Sequence, residues 1–509
     1  MTYLLAQDIG TSSAKAALFT SDGVLVRSCS TFYEVQRPAP NWAQQNAEVW
    51  WDAFCENNHK LLDGLDISCL AAISVSGQMM GCLPIDTTGS PLCPSIIWED
   101  GRALEQAKKI EKIYGEDAFY LITGMHISEN YALPKIMWLK ETQPDIYCRT
   151  ACFLQSKDYI VYRMTGKMVT EATDAQYYHC FDILKNQWSA DLLNAVEIDI
   201  NKFPKLVKSG TIVGHVQPSI ARECGLPSGL PVVEGLGDGR AALVGTGVLS
   251  IGDAYISLGT SSWMSFITSS KDLDPHSGDE KIVFLQPGVF VGGGTMNAGG
   301  YSLQWMKERL CEPEAIRSSK CGTSVYDEIS SLVNTCAPGS GGVIFLPYLL
   351  GEREPYFDSR MRGAFLGLSA STTRAQMCRS VMEGVAMHLN LFKRLAEKND
   401  TLHTMRIVGG GAKNAVWRQI IADIFEMPIL ETNISDEAGI VGIAVMAGMG
   451  IGLYHDIKAV HQFQKIVSTT QPREEFFPIY RKLQLLFENS YDVLKETSHA
   501  LADLQSELQ

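Results

Sequence analysis

Gln7-Asp8-Ile9-Gly10-Thr11-Ser12-Ser13 returns as Ile256-Ser257-Leu258-Gly259-Thr260-Ser261-Ser262, 249 positions further along the chain. Each copy reads as a buried strand, a tight Gly-Thr-Ser-Ser turn and a second apolar strand. That second strand is Ala16-Ala17-Leu18-Phe19 in the first copy and Trp263-Met264-Ser265-Phe266 in the second. Glycine lets backbone approach a bulky anion, and the hydroxyls and N–H groups of such turns donate to phosphate oxygens. Two such turns facing each other across a cleft predict a two-domain protein of related halves that holds a polyphosphate between them.

The flanking sequence carries the repeat outward. Three strand-like runs, Tyr3–Ile9, Ala14–Thr20 and Leu25–Tyr33, precede a helix at about Glu48–Leu62 and the β-branched run Ala71–Ser76. The second half repeats this β-β-β-α-β order loosely: the hairpin, Val289–Gly292, helical Leu303–Leu310 and a strand at Val343–Leu346. Two more α/β units follow, a helix over Thr372–Glu397 and then strand Met405–Val408, Gly409-Gly410-Gly411 and helix Ala415–Phe425. A helical tail spans Glu474–Leu508. A chain of 509 residues exceeds one core, so the expected domains are 1–248 and 249–509.

Bulk properties exclude several functions. A formal charge of −14 argues against nucleic-acid or anionic-membrane partners, which are bound through an excess of Lys and Arg. Thirteen scattered cysteines without a close CxxC pair read as reduced thiols. No apolar run approaches the roughly 18 residues that span a bilayer, and the N-terminus lacks a basic region. The expected location is the cytoplasm.

Several residues stand out chemically. Asp8 closes a strand just before the first turn; a carboxylate there would repel a triphosphate unless Mg²⁺ intervened. The second copy has Ser257 in its place. Asp238, in Gly235-Leu236-Gly237-Asp238-Gly239-Arg240-Ala241-Ala242, sits among glycines between a strand and a helix. The tail of that segment reads G-x-G-x-x-A, but Asp238 would set its charge near a pyrophosphate, so a general base fits better than a dinucleotide fingerprint. An N-cap role for Asp238 is the structural alternative. Gly409-Gly410-Gly411-Ala412-Lys413-Asn414 lets a nucleotide lie against backbone at a helix start. No G-x-x-x-x-G-K-[ST] and no HExxH occurs. Ser76-Gly77-Gln78-Met79-Met80-Gly81 and Trp98-Glu99-Asp100-Gly101-Arg102 offer a polyol grip, and a surface Asp100–Arg102 ion pair is the plain alternative.

Taken in order, these segments resemble the FGGY carbohydrate kinases of the actin-like ATPase superfamily. Tyr131-Ala132-Leu133-Pro134-Lys135-Ile136-Met137-Trp138-Leu139 is similar to the family's N-terminal signature, and Gly363–Leu368 with Met382-Glu383-Gly384 to its C-terminal one. Leu346–Pro355 is also family-like. Within the family the likeness is greatest to xylulokinases, through Trp98–Arg102, Ser156-Lys157-Asp158-Tyr159, and Gly409–Asn414 followed by Trp417-Arg418-Gln419.

The resemblance implies an α/β fold of two related actin-like (ribonuclease H-like) domains around a nucleotide cleft. ATP and Mg²⁺ are the implied cofactors. Asp238 matches the catalytic base and Asp8 the metal-associated acid. Gly10, Thr11, Ser12, Lys15, Gly259, Thr260, Ser261, Gly410, Gly411 and Asn414 match nucleotide contacts. Gln78, Met79, Met80, Trp98, Asp100, Arg102 and Asp238 match the sugar side. Met80 stands where xylulokinases carry histidine, and Asp174–Tyr178 departs from the usual small-residue pattern. The expected reaction is γ-phosphoryl transfer to a primary hydroxyl, most simply D-xylulose to D-xylulose 5-phosphate. Another ketose, a sugar acid or a polyol are alternative acceptors. A non-catalytic ATP switch of the same superfamily is the alternative of another class, which Asp238 and the sugar-side group argue against. The expected partners are the sugar and ATP, with a homodimer as the one macromolecular assembly.

Overall fold

The strand-turn-strand repeat builds the centre of each of two β-sheets. A computed structural model describes residues 2–508 apart from 270–272, 277–279, 287, 399 and 435–437. The first half contains β1 (Tyr3–Ile9), β2 (Ser13–Thr20), β3 (Leu25–Phe32), α1 (Ala47–Leu62), β4 (Leu70–Gly77), α2 (Ala132–Thr142), β5 (Ile212–His215), β6 (Pro231–Val233) and α3 (Asp238–Gly245). Its sheet runs β5-β6-β4-β1-β2-β3, with β1 antiparallel to β2 and parallel to β4. β1 is covered on both faces, which is why it reads as a nearly unbroken apolar run. Leu5 and Ile9 pack with Trp50 and Phe54 of α1. Leu4 and Ala6 face the opposite way, into a core shared with α3 and with the second half.

The second half contains β7 (Asp253–Leu258), β8 (Ser262–Thr268), β9 (Ile282–Val283), β10 (Phe290–Met296), α4 (Gly300–Leu310), β11 (Ile344–Leu346), β12 (Ala364–Leu366), α5 (Arg374–Glu397), β13 (Thr404–Val408), α6 (Ala415–Phe425), β14 (Ile429–Thr432), α7 (Ala438–Gly450), β15 (Ile466–Thr470) and α8 (Phe477–Glu507). The sheet order is β9-β10-β8-β7-β13-β14-β15. Three antiparallel strands followed by parallel ones repeat the plan of the first half. Tyr480, Leu483 and Phe487 of α8 pack into the core formed by β7, α5 and α6.

The repeat departs from the sequence reading at one strand. Val343–Leu346 was the expected fourth strand, but β11 pairs with β12 in a separate two-stranded ribbon. The parallel partner of β7 is β13, with Ser257 opposite Val408. A parallel neighbour needs a crossover helix, and α5 supplies it. Thr373 starts α5 with a reciprocal capping box to Gln376. Short apolar runs such as β11 and β13 look alike without that connection.

The halves join where α7 crosses α3. α7 is apolar all round, Ala-Gly-Ile-Val-Gly-Ile-Ala-Val-Met-Ala-Gly-Met-Gly, and lies in the core shared with Leu4, Ala6 and Ala72 of the first sheet. A Cβ on Gly442 would stand 2.1 Å from the Ala241 carbonyl oxygen, and one on Gly245 1.7 Å from that of Ala438. The two backbones touch, so neither glycine tolerates a side chain. Gly442→Ala is expected to lower the thermal unfolding midpoint through about 1–3 kcal/mol of overpacking. Gly439→Ala, on the same helix with no atom within 4 Å of the added carbon, is expected to leave the midpoint unchanged or raised. Equal effects of the two substitutions would refute the close-approach account.

Candidate active site

The C-terminal ends of β1 and β4 and the start of α3 converge on two carboxylates. Asp8, next to last in β1, lies opposite Ser76 of β4, whose hydroxyl donates to Asp8 Oδ1 at 2.7 Å. Gly77 forms a parallel bridge with Gly237, the residue before α3. A Cβ on Gly237 would meet the Met79 sulfur at 2.4 Å, so this glycine permits the approach. Asp238 is the first residue of α3 and accepts from its neighbour Gly239 N at 2.6 Å. Gly237, not Asp238, occupies the cap position, which disposes of the capping alternative. Burial, reinforced by the Asp8 charge, pushes the Asp238 carboxyl up to about 7. Burial also raises Asp8, against the Ser76 hydrogen bond and the Lys15 charge.

The first glycine turn is tied to the segments that follow β4. Gly10 N donates to Ser13 O at 3.0 Å, and the Tyr33 hydroxyl donates to Gly10 O at 2.7 Å. The Thr11 hydroxyl is already engaged: it accepts from Trp98 Nε1 at 2.8 Å and donates to Gln78 Oε1 at 3.2 Å. Gln78 is nearly enclosed and donates to Gln45 Oε1 at 2.7 Å, so it braces the turn. Trp98 keeps 40% of its surface exposed and offers an aromatic face. Ser12 and Lys15 are exposed.

Asp100 and Arg102 pair with each other inside the fold. Asp100 is fully buried, accepts from Ala43 N at 2.5 Å and pairs with Arg102 at 2.7 Å. The Arg102 guanidinium lies 3.8 Å over Trp42 and donates to Gln44 Oε1 at 3.1 Å. The Asp100 oxygens and the Arg102 Nε and Nη2 groups are thus engaged inside the fold, where the sequence reading expects a grip on the sugar. The ion pair is also buried, not the surface pair of the plain alternative.

The second turn differs from the first by one residue. Ile9 pairs with Ala14 across four turn residues, whereas Leu258 pairs with Ser262 across three. Trp263 therefore sits opposite Ser257, where the first hairpin sets Lys15 opposite Asp8. The turn's carbonyls are held by the start of α4: Gly300 N donates to Gly259 O at 2.6 Å and Tyr301 N to Thr260 O at 2.9 Å. The glycine triplet rests on the same place. A Cβ on Gly409, whose φ is +92°, would meet Leu258 O at 2.9 Å, while Gly410 faces open space. Asn414 caps α6 by accepting from Trp417 N at 3.1 Å and donates to Ser330 Oγ at 3.0 Å. Two motifs about 150 residues apart thus form one surface.

Other residues escaped the sequence reading as site components. Lys135 of α2 is buried and donates to Met80 O at 3.0 Å, Ile97 O at 2.7 Å and Asn130 O. It clamps the Met80 and Trp98 segments together while burial pulls its ammonium down to about 7. Its sequence signal was membership of the family-like signature around Trp138. Lys157 Nζ reaches Asp158 at 2.8 Å, Glu234 at 2.5 Å and Asp174 at 3.5 Å. Burial opposes its charge, but these carboxylates hold it protonated. Met80, at φ +65°, lines a cavity of about 170 Å³ with Tyr131, Tyr177, Arg240, Trp263 and Glu280. Nothing in the spacing of these residues announces that they meet.

Glycine-hydroxyl turns at matched ends of two related sheets and a half-buried carboxylate at the start of α3 make an arrangement suited to phosphoryl transfer. The description "FGGY family of carbohydrate kinases, N-terminal domain" matches residues 3–245, and the C-terminal domain of that family matches residues 254–451. A xylulose kinase of Staphylococcus xylosus is 32% identical over 494 residues, 95% of this chain and 100% of its own. A gluconokinase of Bacillus subtilis is 29% identical over 506 residues, 99% of this chain and 98% of its own. The crystal structure of xylulose kinase from Rhodospirillum rubrum superposes with a TM-score of 0.89 at 26% identity, over 98% of this chain and 100% of that one. The chain belongs to the FGGY family of carbohydrate kinases and is an ATP-using phosphotransferase. No helix among the described residues is long and apolar enough to cross a membrane.

Asp238→Asn is expected to cut phosphorylation by about two to four orders of magnitude. Its folded pKa of about 7 lies above the ordinary 3.8, so the folded state holds more protons between those values. Wild type therefore loses stability as pH rises from about 4 to about 7. The asparagine variant is expected to unfold at a higher temperature than wild type at pH 8 and at the same temperature near pH 4. Wild-type kcat/KM should fall about tenfold per pH unit below the Asp238 pKa, and a cation beside Asp8 shifts that limb to lower pH.

Thr11→Val and Thr260→Val separate the turns. Removing the Thr11 hydroxyl also frees Trp98 and Gln78, so KM for the acceptor should rise. No hydrogen bond from the Thr260 hydroxyl exists among the described residues, so Thr260→Val should impair ATP use alone, through roughly 1.5–3 kcal/mol for one bond to a charged group. Steady-state kinetics with each substrate varied checks both.

Proposed function

We propose that this enzyme transfers the γ-phosphoryl of ATP to a primary hydroxyl of a ketose, converting D-xylulose to D-xylulose 5-phosphate. The observation that carries the mechanism is the half-buried Asp238 carboxyl at the start of α3, pushed up to about 7 beside Asp8. A base of that strength suits proton abstraction near neutral pH. Asp238 takes the proton of the acceptor hydroxyl as its oxygen bonds to the γ-phosphorus. The bond from that phosphorus to the β–γ bridging oxygen breaks, and ADP leaves. The Gly10–Ser12 and Gly259–Ser261 turns hold the phosphates through N–H and hydroxyl groups, and Gly409–Asn414 supports the nucleoside end. Phosphoryl transfer asks mainly for such positioning and charge stabilisation.

The residues fit Mg²⁺. Asp8 and Asp238 are hard oxygen donors whose like charges raise Asp238, a strain that a divalent cation relieves. No group of three His, Cys, Asp or Glu side chains able to hold a metal exists among the described residues. That composition suits an ion bound through one or two carboxylates, water and substrate phosphates. Asp8 would hold it, and when bound it supplies neutralisation of the phosphate charge.

The xylulose kinases among the relatives support the ketose, and Met80 marks where this chain departs from them. A thioether is only a weak acceptor, whereas imidazole donates and accepts. Histidine also tolerates the left-handed backbone of position 80. Across a ketose panel, Met80→His is expected to raise kcat/KM selectively for D-xylulose by about 5- to 150-fold. Unchanged ratios for every acceptor would remove Met80 from the sugar contacts.

A further inference from the structure

Arg240 is a nearly enclosed cation that forms no ion pair among the described residues, although its charge acts on Asp238, Tyr177 and Tyr255. It stands two residues after Asp238 in the first turn of α3, is 8% exposed, and lines the Met80–Trp263 cavity. Its Nε and Nη1 have no hydrogen-bond partner among the described residues. Several other groups around that cavity are engaged, and Glu280 adds a carboxylate to its lining. Tyr131 donates to Glu280 at 3.5 Å, Glu354 accepts from Thr295 N at 2.8 Å, and Trp263 Nε1 donates to the Tyr255 hydroxyl at 2.8 Å. Arg353 pairs with Glu354 at 3.6 Å.

A guanidinium presents parallel N–H groups in a fixed fork that matches two adjacent acceptor oxygens, best those of a planar carboxylate. Leaving such donors buried and unsatisfied costs more than the bond is worth when made. An unfilled fork facing a cavity next to the catalytic base therefore specifies what should fill it. The acceptor hydroxyl lies at Asp238, so the fork meets the substrate's other end.

We propose that Arg240 selects the acceptor: its guanidinium holds the oxygen pair at the end remote from the transferred phosphoryl. The enzyme then takes substrates with a carbonyl or carboxylate there and discriminates against the corresponding all-hydroxyl polyols. The ketose form of this inference rests on the function proposed above. The shared chemistry admits two sources, the C1–C2 hydroxyketone of a ketose and the C1 carboxylate of an aldonate.

The test compares the full-length wild type with Arg240→Gln, Arg240→Met and Arg240→Lys, each with saturating Mg-ATP. The acceptors are D-xylulose, D-arabinitol, D-xylonate and D-gluconate. In wild type, kcat/KM for D-xylulose or for an aldonate should exceed that for D-arabinitol at least tenfold. Arg240→Gln and Arg240→Met should lose about 10- to 1000-fold on the carbonyl or carboxylate substrate, mainly in KM. They should change less than about threefold on the polyol, with KM for ATP unaltered, and lysine should recover part of the loss. If methionine fails to fold, the near-isosteric glutamine variant decides.

A ratio of favoured acceptor to polyol that stays within threefold in the folded variants overturns the role of Arg240, whichever sugar is the substrate. Turnover of an aldonate but no ketose, with the ratio collapsing in Arg240→Gln, sustains Arg240 while overturning the ketose reading. Turnover of D-xylulose with the ratio unchanged does the reverse.

Discussion

The backbone contact between α3 and α7 is the constraint on which the site depends. Gly245 and Gly442 let the two helices meet with carbonyl oxygens where Cβ atoms would otherwise stand. α7 belongs to the second half by sequence, yet it packs in the core that also holds Leu4, Ala6 and Ala72 of the first sheet. The same crossing sets where α3 begins. Asp238 thereby lies beside Gly77 and within electrostatic reach of Asp8, although some 230 residues separate the two acids.

Around that crossing, the protein keeps charges poised instead of cancelled. Asp8 and Asp238 are half-buried without a cationic partner bonded to either, and desolvation raises both. Asp100–Arg102 and the Lys157 ammonium, which are more deeply enclosed, are by contrast ion-paired, although Asp174 and Glu234 Oε2 around Lys157 keep oxygens without a hydrogen bond. Paired charges hold the framework together. Arg240, whose Nε and Nη1 are unsatisfied, lines the cavity beside Met80, where a ligand group can reach it. Keeping such groups unpaired lowers stability locally and leaves binding energy to be realised only when ligands arrive.

Polar side chains then transmit position between the nucleotide and acceptor sides. Thr11 belongs to a phosphate-type turn, but its hydroxyl joins Trp98 and Gln78. Lys135 fixes the carbonyls of Met80, Ile97 and Asn130 around the same wall. Neither side can shift without disturbing the other. The Thr11 hydroxyl, which the sequence reading assigns to phosphate, is bonded here to both the Gln78 and the Trp98 segments.

The sequence by itself determined the strands, turns and helices that depend on local pattern. The two Gly-Thr-Ser-Ser hairpins, α1, α5 and the glycine triplet before α6 all fall where periodicity and turn chemistry put them. It also isolated Asp8 and Asp238, because an acid beside glycine is chemically conspicuous wherever the chain folds. Only the tertiary structure decided which apolar run completes the second sheet, since β11 and β13 differ in their connections and not in their composition. It decided that Asp100 and Arg102 are internal and that the second turn is one residue tighter than the first. It alone gathered Met80, Tyr177, Arg240 and Trp263 around one cavity. The physical reason is range: propensity and periodicity act over a few residues, whereas burial, pairing and the emptiness of a cavity are set by chain segments far apart in sequence.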